Sequence, residues 1–119
     1  MAGKIVHFEV PSSDADRASA FYNGLFGYEI GPSVMDGFEY RMFQSAEDQG
    51  GAIMSSETPG SGLVVYLDTD DIDASVARVR ELGGSAEDKK PVPTHGWFSP
   101  CKDTEGNNFS LWQSDANAA

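Results

Sequence analysis

The chain has 119 residues, 39% apolar and 11% aromatic, with 8 Lys and Arg against 19 Asp and Glu for a net charge of −11. That is one domain's length with enough apolar content for a core. The charge repels phosphate backbones and anionic bilayers, which argues against nucleic-acid and membrane-surface partners, and no apolar run approaches the roughly 20 residues that span a bilayer.

Met1-Ala2-Gly3-Lys4 leads straight into an alternating apolar segment. No secretory h-region follows, so a cytoplasmic location is expected. Residues 5–10 alternate with period two: Val6, Phe8 and Val10 share one face, Ile5, His7 and Glu9 the other. This predicts a strand, which Pro11 should end. Ser12-Ser13-Asp14 offers oxygens to cap a helix. Ala18, Phe21, Tyr22, Leu25 and Phe26 recur at helical spacing as its apolar stripe, and Gly27 suits a C-cap. Residues 28–30, 38–44 and 51–55 read as strands between the turn formers Gly31-Pro32 and Asp36-Gly37. Gly50-Gly51 lacks the Lys-Ser/Thr of a phosphate loop and is assigned to a turn.

The second half repeats the order. Residues 63–68 form an apolar strand, Asp70-Asp71 supplies caps, and Ile72, Val76, Val79 and Leu82 make a helical stripe that stops at Gly83-Gly84. Residues 89–92 are weakly extended. Residues 97–102 and 107–113 are strands joined by the turn Asp103-Thr104-Glu105-Gly106. The small polar tail from Ser114 should fray. The lone Cys101 excludes an internal disulfide, is compatible with a reducing compartment, and reads as a packing residue. His95 falls in a loop. The whole is β-α-β-β-β twice, module one at about 4–56 and module two at about 62–114, in a single α+β domain. Each module has one helix on one sheet face. The two sheets are expected to form one curved mixed sheet around a cleft, helices outside.

The segments Val6-His7-Phe8-Glu9-Val10, Ala20-Phe21-Tyr22, Leu25-Phe26-Gly27-Tyr28, Val65-Tyr66-Leu67-Asp68, Asp70-Asp71-Ile72-Asp73 and Lys102-Asp103-Thr104-Glu105-Gly106-Asn107 together resemble the vicinal oxygen chelate superfamily. That superfamily includes glyoxalase I, bleomycin-resistance proteins and extradiol dioxygenases. The resemblance covers about residues 4–114, and Gly96-Trp97-Phe98 is similar to its small bacterial glyoxalase-like branch. It implies a homodimer. It also implies a metal site with one ligand on each of four strands. His7 matches the first ligand position; Val64, Ser110, and Ile53 or Met54 fall at the others. A hydroxyl and a thioether are poor ligands for the ions these enzymes use. No metal site is therefore assigned, and the cofactor is left open.

His7 and Glu9 share a face by strand alternation and are the candidate acid/base pair, the carboxylate raising the imidazole's basicity. Tyr40, Met54, Tyr66, Trp97, Ser99, Ser110 and Trp112 are the candidate ligand-lining residues, an aromatic, mostly apolar set suited to a small organic molecule. The leading reading is a glyoxalase- or bleomycin-resistance-like protein that binds such a molecule. Two alternatives are a metal-dependent lyase, isomerase or dioxygenase using His7 with Glu9 and Gln113, and a metal-free acid/base enzyme using His7 and Glu9.

Overall fold

Period-two and period-3.6 patterns in this sequence become strands and helices close to where they are read. The computed structural model describes residues 3–60 and 62–119. Met1 and Ala2, at the head of the expected leaderless N-terminus, lie outside the described residues. The elements run β1 (Ile5–Ser12), α1 (Ala15–Phe26), β2 (Tyr40–Ala46), β3 (Gln49–Ser55), β4 (Val64–Asp68), α2 (Ile72–Glu81), β5 (Ser85–Ala86), β6 (Lys90–Val92), β7 (Gly96–Lys102) and β8 (Asn108–Ser114). The fold is mixed α+β. Among the described residues no helix is long and apolar enough to cross a membrane.

The chain divides into two compact units, His7–Val64, and Val65–Ala119 together with the residues up to Val6. In the first, β1 lies parallel to β3 and β2 antiparallel to β3. In the second, β4 lies parallel to β8, β7 antiparallel to β8, and β5 and β6 both antiparallel to β7. The sequence repeat therefore reappears as topology. Each module's opening strand is parallel to its closing strand, and the closing strand is antiparallel to the one before it.

Asp14 caps α1 by accepting the Arg17 N–H at 3.0 Å, and Asp71 caps α2 through Ala74 N–H at 3.0 Å. These carboxylates satisfy orphan amides and sit at the positive end of the helix dipole. Gly27 closes α1 at φ +67, the left-handed region that favours glycine. One core gathers Val10, Ala15, Phe43 and Ile53 with Phe8, Ala18 and Tyr22; the other gathers Ile72, Val76, Cys101 and Leu111 with Val79, Trp97 and Phe109. Cys101 is a packing residue, and burial pushes its thiol up.

Several expectations are corrected. Residues 28–30 are not a strand: Glu29 has φ +57, and the Ile30 N–H is taken by the Asn23 side chain at 3.1 Å. Tyr28 instead stacks on Phe43 at 4.6 Å. The first module is thus β-α-β-β, while the second gains the short β5. Pro11 does not end β1. Ser12 C=O accepts from Ser56 N–H beyond the end of β3, so the neighbouring imide nitrogen of Pro11 points away from β3, where no ladder donor is lost. Gly50 and Gly51 lie inside β3, and a Cβ at Gly51 would stand 2.6 Å from the Phe43 ring. The tail is tied down: Ala118 is 3% exposed, its C=O accepts from Thr94 N–H, and Asp115 N–H donates to His95 C=O.

The α1 stripe is also narrower than its composition suggests. Ala15, Ala18, Ser19 and Tyr22 fall within a sector of about 100° and turn inward. Phe21 and Leu25 lie outside that sector and are 61% and 57% exposed. Ser19 Oγ is buried without a hydrogen-bond partner among the described residues. Ser19→Ala should therefore stabilise the protein by about 1 kcal/mol, from relief of that unsatisfied hydroxyl and higher helix propensity. Urea unfolding checks this; a loss of stability would show that the hydroxyl has a partner.

Candidate functional site

Strand register sets what faces what. In the first unit, His7, Glu9 and Pro11 on β1 lie level with Gly50, Ala52 and Met54 on β3, and these with Gln44, Met42 and Tyr40 on β2. All of them share the face opposite α1. Tyr40 sits two strands from β1, roughly 10 Å away in the hydrogen-bonding direction, yet its hydroxyl reaches across. It donates to Glu9 Oε2 at 2.7 Å and lies 2.9 Å from His7 Nε2. The small residues Gly50 and Ala52 on the intervening strand leave room for this crossing. A Cβ at Gly50 would come 3.4 Å from His7 Nδ1.

The phenol has one proton. With that proton on Glu9, its oxygen accepts from His7, which sets Nε2–H as the imidazole's donor. His7 and Glu9 are thus joined through Tyr40 in one hydrogen-bonded chain. The imidazole also lies near-parallel to the Tyr40 ring at 6.3 Å, and Phe38 meets Tyr40 edge-on at 6.2 Å. Glu9 is only 9% exposed.

Burial lowers the His7 pKa from its ordinary value of 6.5, and the nearby Glu9 carboxylate only partly offsets this. Glu9 does raise the basicity of His7, as expected, but desolvation outweighs it and the net shift is downward. The unfolded chain therefore binds a proton near pH 6.5 that the folded chain resists. Stability should fall as pH drops below 6.5, level off below the folded value, and show no His7 dependence above 6.5. His7→Gln should flatten that acid-side decline in urea titrations across pH; an unchanged decline would assign it elsewhere.

In the second unit, Phe98 lies opposite Trp112, Pro100 opposite Ser110, and Tyr66 beside Ser110. Tyr66, Ser110 and Trp112 therefore share the face away from α2. Trp97 and Ser99 do not join them, which corrects their place among the lining residues. In an antiparallel pair, directly opposed residues share a face, and these two oppose Gln113 and Leu111 on the α2 side. Trp97 is fixed there by Nε1–H donating to Asp115 at 2.9 Å and by Lys89 4.6 Å from its ring centroid. Ser99 donates to Glu87 C=O at 2.6 Å. Gln113, a ligand in the metal reading, is committed to Ile72 N–H at 2.8 Å, at the start of α2. His95 stays on an exposed turn, its Nδ1 3.0 Å from Pro93 C=O.

The metal that the resemblance implies does not fit these residues. His7 Nε2 already faces Tyr40, and the other positions carry a valine, a serine and an isoleucine or methionine. Among the described residues no three His, Cys, Asp or Glu side chains are placed to hold an ion. Met42, expected to turn partly to this side with Tyr40, is 46% exposed there. Gly50, read as a turn residue, is the contributor that sequence reasoning misses; strand alternation extended along β3 finds it.

Known proteins bear on this geometry. A relative from Didymella fabae, a glyoxylase-like domain-containing protein, is 27% identical over 92% of each chain. Among solved structures, methylmalonyl-CoA epimerase from Mycobacterium tuberculosis matches with TM-score 0.72 at 16% identity, over 95% of this chain and 88% of that one. A glyoxalase/bleomycin resistance protein/dioxygenase superfamily member from Vibrio splendidus 12B01 matches with TM-score 0.70 at 19% identity, over 96% of this chain and 100% of that one. These likenesses establish the fold. The family model of the glyoxalase-like domain matches residues 6–112, nearly the whole chain, and so the protein belongs to the glyoxalase-like domain family.

Proposed function

We propose that this protein binds a small organic molecule on the face of the first unit that carries His7, Glu9 and Tyr40. One observation carries the reading: His7, Tyr40 and Glu9 form one hydrogen-bonded chain on a face that also presents the thioether side chains of Met42 and Met54. A few placed polar groups in apolar surroundings are the composition of small-molecule sites. Some solved neighbours are methylmalonyl-CoA epimerases. A coenzyme A ester is a polyanion, though, and the charge of −11 opposes it. A second reading, metal-free acid/base catalysis, is favoured by the same chain of hydrogen bonds, which places an imidazole kept largely neutral beside a phenol and a carboxylate.

A ligand thermal-shift screen that includes methylmalonyl-CoA tests this. Binders should raise the midpoint with concentration, the stability gained being about 2.7 kcal/mol at a hundredfold excess over Kd. Tyr40→Ala should abolish the response, and methylmalonyl-CoA should give none. Hits that act equally on Tyr40→Ala would move the site elsewhere.

A further inference from the structure

The Glu9 carboxylate is nine-tenths buried yet only half satisfied. Oε2 accepts from Tyr40 at 2.7 Å. Oε1 accepts nothing among the described residues, and it is not among the atoms sealed from solvent without a partner. A carboxylate has room for about four hydrogen bonds, so Oε1 keeps acceptor capacity open to a donor arriving from solvent. The obvious donors nearby are committed. The Nε2–H of His7 goes to Tyr40. Arg41 stands on the α1 face of β2, paired with Asp16 at 2.8 Å and Glu39 at 3.1 Å.

Resting on the reading above, we propose that Glu9 Oε1 recognises a hydrogen-bond donor on the ligand, and that the ligand class is an organic ammonium on a small apolar body. An ammonium would complete the carboxylate with a short charge-assisted bond. The rings of Tyr40 and Phe38, which meet edge-on at 6.2 Å, and the side chains of Met42 and Met54 supply apolar surface for a hydrocarbon body. A carboxylate or phosphate head group would meet Glu9 with like charge. The inference rests on this one oxygen and its surroundings.

Three probes of matched shape test it on the full chain at pH 7: phenethylammonium, 2-phenylethanol and 3-phenylpropanoate, each titrated into nitrogen-15-labelled protein. The ammonium should shift the amides of Glu9, Tyr40, Met42 and Ala52, with an affinity about tenfold or more above the alcohol's. The carboxylate should bind weakest. Glu9→Gln should bring the ammonium down to the level of the alcohol. Equal binding of all three on this face would overturn the ammonium assignment and leave small-molecule binding standing. Ammonium shifts confined to other residues would overturn the assignment, and binding by none of the three would remove both. Should Glu9→Gln lose its fold, the ranking of the three probes on the unaltered chain decides alone.

Discussion

Gly96→Ala should lower the thermal midpoint by roughly 10 °C, a large loss for one methyl group. Gly96 opens β7 opposite Ser114. A Cβ there would overlap the Gln113 carbonyl oxygen and stand 2.6 Å from Cζ2 of Trp112. Neither neighbour yields easily: one is ladder backbone, and the other is an indole whose Nε1–H donates to Ser114 at 3.1 Å. Overpacking of this kind costs about 1–3 kcal/mol, and a domain of this size loses about 4 °C per kcal/mol. Gly24→Ala is the control. It lies in α1 with nothing within 4 Å of a built Cβ, and helix propensity alone should make it stabilising by about 1 kcal/mol. The two variants, melted side by side, should move in opposite directions. Equal shifts would mean that the close approach at Gly96 relaxes. A changed Trp112 emission in Gly96→Ala would report the displaced indole directly.

The same glycine shows what local pattern conveys and what it omits. Alternation along 96–102 and 108–114 is visible in the sequence, and with it the strands. The close approach at Gly96 depends on pairing across strands far apart in the chain, which no local period encodes. Residues 28–30 make the converse case. Tyr28 and Ile30 look extended and apolar, yet a side-chain amide from α1 takes the Ile30 N–H and an aromatic stack takes Tyr28. Tertiary packing there overrides strand propensity. The α1 stripe misled for a third reason. Apolar residues cover more of the helix than the sheet covers, and spacing alone does not say which of them turn inward.

Of the candidate site, the face shared by His7 and Glu9 was legible because alternation within one strand is rigid. Their link was not, because it runs through Tyr40 from a strand two places away. Trp97 and Ser99 went astray for a related reason. Which face of β7 meets α2 is decided by its register with β8, where Ser99 opposes the core residue Leu111. Once Leu111 is known to pack on α2, the register carries Ser99 and Trp97 with it. The doubtful metal set, by contrast, needed no geometry: valine and serine are weak or absent donors wherever they lie.

Tyr40→Phe should cost about 2–3 kcal/mol, because it removes the donor to Glu9 and leaves that carboxylate buried without one. The loss should be conditional. In a Glu9→Met background, where a similar volume carries no charge, the same substitution should cost under about 1 kcal/mol, giving a coupling near 2 kcal/mol. Additive effects would mean that the bond contributes nothing to stability. The pH dependence separates the partners further. Tyr40 accepts from an Nε2–H that neutral and protonated His7 both carry, so Tyr40→Phe should leave the acid-side decline below pH 6.5 in place. Glu9→Met removes the charge that raises His7 against its burial. The folded pKa should then fall further, the gap to the unfolded value should widen, and stability should decline more as pH drops below 6.5. A decline abolished by Tyr40→Phe would instead assign the low basicity of His7 to the phenol, and the desolvation account of this face would have to be replaced.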